Sequence, residues 1–72
     1  MTTVQTPQSG TLSHWEHDEK SGTLTVHFRS GKKYAYFDVD LGAVGALRAA
    51  QSVGAFLAKT LRPNYRHAKV IG

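Results

Sequence analysis

Apolar residues recur at every second position through the middle of the chain. Leu24, Val26 and Phe28 alternate with Thr23, Thr25, His27 and Arg29. Successive strand side chains point to opposite faces, so this pattern predicts a strand with one apolar and one wet side. Ser30-Gly31 follows, and glycine tolerates positive φ, which permits a two-residue or a bulged three-residue turn. A second strand begins near Lys32, with Tyr34 and Tyr36 on one face and Lys33, Ala35 and Phe37 on the other. Two tyrosines on one face could form a stacking platform worth roughly 1–3 kcal/mol per base. A short chain has few large apolar groups, however, and buried tyrosine is a common core residue. Both rings are therefore read as packing inward beside Leu24, Val26 and Phe28, which leaves His27, Arg29, Lys33 and an exposed Phe37 for the reverse side.

The flanking segments extend this hairpin. Residues 11–17 read as a first strand, although Leu12 and Trp15 are three apart and cannot share a face of a regular strand. Either a bulge intervenes or one of them faces solvent; Trp15, the single tryptophan, is placed inside. Residues 18–22 form a polar turn. Residues 1–10 read as a flexible leader or a short edge strand around Val4.

After Val39 the period shifts toward 3.6. Asp40 is placed to cap a helix carrying Leu41, Val44 and Leu47, and Ser52 to cap a second one lined by Val53, Phe56, Leu57 and Leu61. Gly42 and Gly45 each weaken the first helix by about 1 kcal/mol relative to alanine, so packing must sustain it. Pro63 is expected to end the second, because the residue before a proline is disfavoured in the helical region. Residues 64–72 then leave the helix as a basic extension in which Tyr65 packs back. The predicted fold is α+β, a three-stranded antiparallel β-meander followed by two short helices on one face (β-β-β-α-α). Its single domain spans residues 11–65, with a basic tail over 66–72.

Composition narrows the functional classes. Seventy-two residues with 40% hydrophobic content and a mean hydropathy of −0.34 suit one small soluble domain without a deep catalytic cleft. No apolar run is long enough to span a membrane, and the first residues lack the basic-then-apolar order of a secretory signal. The absence of cysteine excludes disulfides and thiolate metal sites and fits a cytoplasmic location. Charge is unevenly spread. The five acids (Glu16, Asp18, Glu19, Asp38, Asp40) lie in the first 40 residues beside Lys20, Arg29, Lys32 and Lys33, whereas Arg48, Lys59, Arg62, Arg66 and Lys69 follow with no acid among them. Such a segment attracts polyanions or an acidic protein surface, or simply keeps the domain in solution.

Taken in order, Trp15-Glu16-His17-Asp18, Leu24-x-Val26-x-Phe28, Ser30-Gly31, Tyr34-Ala35-Tyr36, Val39, Ala50-x-Ser52-x-Gly54-x-Phe56 and Leu61-Arg62-x-x-Tyr65 resemble the KTSC domain. That module occurs at the C-terminus of some lysyl-tRNA synthetases and as stand-alone bacterial and phage proteins. The likeness runs roughly from Leu12 to Tyr65. This chain departs from it where the family usually has an Ile-Gly-Tyr-Asp-like strand and often a Val-Pro before the first helix. The resemblance implies no established activity; RNA binding has been suggested through the synthetase association.

The expected function is a small non-catalytic binding module that contacts RNA or a nucleoprotein machine. Its candidate contacts are His27, Arg29, Lys33, Phe37, Lys59, Arg62, Tyr65, Arg66 and Lys69, the cations reaching phosphates and an exposed ring stacking on a base. The competing expectation is a protein-docking regulator, phage-encoded or bacterial, that binds a host machine such as RNA polymerase. Catalytic residues, cofactors and metal ligands are not expected. Asp18 and Glu19 lie in a solvated turn, no glycine-rich phosphate cradle is present, and His14 and His17 fall on opposite faces of one strand.

Overall fold

In the computed structural model, which describes residues 1–7 and 10–70, the chain runs β1 (Thr2–Gln5), β2 (Leu12–Asp18), β3 (Thr23–Phe28), β4 (Lys33–Tyr36), α1 (Leu41–Ala49), α2 (Val53–Phe56), a π-helical turn (Leu57–Leu61), α3 (Arg62–Asn64) and β5 (His67–Val70). The predicted β3–β4 hairpin is present, pairing Leu24 with Tyr36 and Val26 with Tyr34. Its turn is the bulged three-residue form. Gly31 N–H donates to the Phe28 carbonyl at 3.0 Å and adopts φ 95°, a conformation that costs most side chains about 1 kcal/mol or more.

Of the two alternatives the Leu12–Trp15 spacing leaves open, the structure has the bulge, a register shift between Leu12 and His14 in the β2–β3 pairing. The extra residue brings Leu12 and Trp15 onto the same inner face, where both are buried. His17 is buried beside them, and one of its ring nitrogens, Nε2, lies 2.8 Å from the Val39 carbonyl, tying β2 to the approach to α1.

The expected three-stranded meander is corrected by the structure. The sheet has five antiparallel strands in the order β1-β2-β3-β4-β5. At one edge, Val4 pairs with Trp15, and the chain stays bound past the strand through Thr6, whose hydroxyl donates to the Leu12 carbonyl at 3.0 Å. At the other edge, the segment expected to be a basic tail forms β5 against β4, preceded by a 2.9 Å hydrogen bond from Phe37 N–H to the Arg66 carbonyl. All four β5 residues are exposed. They join the sheet through main-chain hydrogen bonds that β4 would otherwise leave unpaired, a force with no side-chain periodicity to announce it.

The helices cover one face of the sheet. Asp40 caps α1, its Oδ1 accepting from Ala43 N–H at 2.8 Å, and Ser52 caps α2, its Oγ accepting from Ala55 N–H at 3.3 Å. Val44 and Leu47 are buried, but Leu41 is 64% exposed. A strict three-residue interval drifts about 60° per step on an α-helix, which carries Leu41 off the buried arc. Pro63 does not end the helix as expected. Arg62 keeps helical dihedrals, its N–H reaching back to the Leu57 carbonyl across the π turn, and Pro63 sits in the short turn α3. Pro63 thus follows a continuous helical segment, where it contributes no N–H, and the N–H of Tyr65 closes back on the Leu61 carbonyl at 2.9 Å. The buried core is Leu12, Trp15, Leu24, Val26, Tyr36, Val39, Val44, Leu47, Leu57 and Leu61, with Phe28, Tyr34 and Tyr65 packed against it.

Candidate nucleic-acid interface

Strand pairing decides which of the nine sequence candidates meet. Cα partners in adjacent strands share a face, so Lys69 lies beside Tyr34 and His67 beside Tyr36 on the inner side, while Ala68 and Val70 lie beside Ala35 and Lys33 on the outer side. The His67 ring stacks on Tyr36, with centroids 5.1 Å apart and planes 29° from parallel. β5 therefore brings cations that follow the helices back alongside those of the hairpin. Arg66 precedes it, Lys69 lies within it, and its last residue, Val70, pairs with Lys33. Arg62 is exposed just upstream, where the chain leaves the helix.

One acid meets this strip. Asp38 Oδ2 lies 3.9 Å from the Arg66 guanidinium, with both side chains 84% exposed. An ion pair so solvated leaves the arginine able to exchange partners, since its net contribution is about 0–1 kcal/mol.

The remaining candidates are placed differently. Arg29 closes the end of the hairpin, its guanidinium donating to the Thr6 and Pro7 carbonyls at 3.3 and 3.4 Å, so it links the turn to the N-terminal segment. Lys59 is exposed on the π turn. Phe37 is half-buried rather than exposed, and Tyr65 is half-buried against the core, which limits each ring as a stacking surface.

His27 is committed elsewhere. It is half-buried on the outer face, its Nε2 lies 2.5 Å from Glu16 Oε1, and its ring stacks on His14 at 4.0 Å with planes 13° apart. Sequence reasoning missed this group because it looked for histidine spacing along one strand. The signal that could have found it was the β2 bulge combined with counting partners across the β2–β3 turn.

His67 was also missed as a candidate; its signal, an imidazole ring inside the basic segment, was visible, but its position against Tyr36 required β5.

Comparison with known proteins gives two findings and one negative. The KTSC domain model matches residues 8–65. The crystal structure of a KTSC domain protein from Yersinia pestis is similar over 97% of this chain and 100% of that chain, with a TM-score of 0.81 at 21% identity, a likeness of fold. β1 and β5 lie outside the residues matched by the family model, yet the structural likeness covers nearly the whole chain. No curated protein matches the sequence.

Proposed function

The chain belongs to the KTSC domain family, and from that premise we propose that it is a non-catalytic module that binds flexible RNA along its β5 edge. The observation that carries the reading is the gathering of Arg66 and Lys69 on and beside an edge strand whose other end meets Lys33, with Arg62 exposed just before it. Strand residues advance about 3.3 Å each, so these cations are spread along the edge, Lys69 on its inner side and Lys33 on its outer side. Cations spread along an edge, rather than gathered at a point, suit the phosphates of a flexible single strand that can pass over that edge. The exposed His67 ring, backed by buried Tyr36, lies along that edge and offers a surface on which an unpaired base stacks without sequence preference. Positioning by phosphates with little base readout makes the expected binding weakly selective and strongly dependent on salt.

The test is fluorescence anisotropy with an unstructured RNA and with tRNA, comparing the parent with Arg62→Ala/Arg66→Ala/Lys69→Ala. The parent is expected to bind at low salt, with log affinity falling by about 0.7 per phosphate contact for each decade of salt, and the triple variant to lose about three contacts from that slope. If the parent binds neither RNA at low salt, or the variant binds equally well, the proposal fails.

A second reading, docking on a protein machine, is favoured by one observation: β5 is an exposed edge strand, and an edge accepts a partner strand by main-chain pairing. The two readings separate on nuclease treatment. Capture of one protein that survives nuclease supports docking, and its loss supports RNA.

A further inference from the structure

On the outer face of the sheet, remote in role from the β5 edge, we infer that His14, Glu16 and His27 form a binding site for a divalent cation of the zinc type. Each residue presents one ligand atom, and the three atoms lie within 4.8 Å of one another. A tetrahedral ion with bonds of about 2.0–2.1 Å needs its ligand atoms about 3.3 Å apart. Because an imidazole lone pair lies in its ring plane, binding an ion also requires the stacked His14 and His27 rings, 4.0 Å apart and 13° from parallel, to turn out of their stack.

The bulge in β2 builds this group. Leu12 pairs with Phe28, and an unshifted ladder would then place Ser13 opposite His27 and His14 opposite Val26. The shift between Leu12 and His14 instead places His14 directly opposite His27. Glu16, two residues further along β2, shares that face. The bulge has a packing reason already given, the burial of Leu12 and Trp15; the same extra residue brings two imidazoles and a carboxylate side by side on one face.

The donor set selects the ion. Two imidazoles and one carboxylate suit zinc, copper, nickel or iron, whereas magnesium and calcium favour all-oxygen shells. The His14 Nδ1 lies 3.0 Å from Ser13 Oγ. When that nitrogen donates to the hydroxyl, Nε2 is left with its lone pair outward, the orientation a neighbouring acceptor commonly imposes on a metal-binding histidine. His27 Nε2 and Glu16 Oε1 already share a hydrogen bond, and the cation takes the place of the proton between them. The opposing charges are Lys33, the cross-strand partner of His27, and Arg29, two residues along on the same face; the other cross-strand neighbours, Gln5, Thr3 and Thr25, are neutral. Three protein ligands leave a fourth position open to water or to an external donor.

Isothermal titration of the untagged full chain with zinc sulfate tests the site. One ion per chain is expected, together with a rise in the unfolding midpoint as zinc exceeds its Kd. His14→Ala, His27→Ala and Glu16→Gln are each expected to weaken binding at least about tenfold, and Ser13→Ala by about tenfold while leaving the stoichiometry unchanged. Because a variant can also lose its fold, imidazole NMR signals of the parent supply the second readout. On adding zinc, the signals of His14 and His27 are expected to shift, while those of buried His17 and edge His67 stay in place. No zinc-dependent heat or shift, or shifts confined to His67, overturns the inference; so does unweakened binding by folded His14→Ala/His27→Ala.

Discussion

Tyr34 and Tyr36 occupy the same strand face but face different surroundings. Tyr36 is 2% exposed and belongs to the core, whereas Tyr34 is half-buried and meets Phe28 edge-on, with centroids 5.6 Å apart. Tyr36→Ala is therefore expected to destabilise by about 3–5 kcal/mol, in line with other aromatic truncations, and Tyr34→Ala by roughly half as much. Urea unfolding of both variants checks the order; equal losses would place Tyr34 in the core as well. The inward direction of both rings was legible because alternation is a property of the strand itself. Their unequal burial was not legible, since it depends on how much of each ring the helices and β5 cover.

At the scale of elements, the signals that held were local ones. The turn at Gly31 and the Asp40 and Ser52 caps all arise from a few consecutive residues and their own backbone, whereas the Leu12–Trp15 spacing left a β2 bulge as one of two alternatives that pairing with β3 decided. The Asp40 cap is the shorter of the two, at 2.8 Å. Asp40→Ala is expected to cost about 1 kcal/mol, read as a lower thermal midpoint with native circular dichroism retained; no change in midpoint would show that packing of Val44 and Leu47 alone holds α1. What failed were expectations that treated an element as independent of its neighbours. Leu41 fits a three-residue interval but falls off the arc that meets the sheet, and Pro63 stops a uniform helix but not one that has passed through a π turn. The cluster of His14, Glu16 and His27 was illegible for a related reason: it exists only in one register between two strands.

Over the whole molecule, the radius of gyration is 11.0 Å, close to the roughly 11 Å expected for a folded chain of this length. So little interior leaves function to the surface, and the balance of surface charge becomes testable. Asp38 is the acid paired with the β5 strip and has φ 58°, a conformation that asparagine tolerates well. Asp38→Asn should leave the unfolding midpoint nearly unchanged, because the pair is highly exposed. It should strengthen RNA binding at low salt by about twofold to fivefold, the effect of one unit charge near 4 Å in water. An RNA affinity that does not respond would remove the β5 edge from the interface.

Residues close in sequence suffice to specify the hairpin, its turn at Ser30-Gly31 and the two helix caps, because each is decided by alternation, φ preference or one side chain reaching its own backbone. The alternating core of Leu24, Val26 and Tyr36 belongs with them. The two edge strands, the return of the C-terminal cations to Lys33, and the meeting of His14 with His27 were decided only by the folded chain. Strand pairing is made by backbone groups common to every residue, so neither the partner nor the register is written in the side chains of the strand that joins.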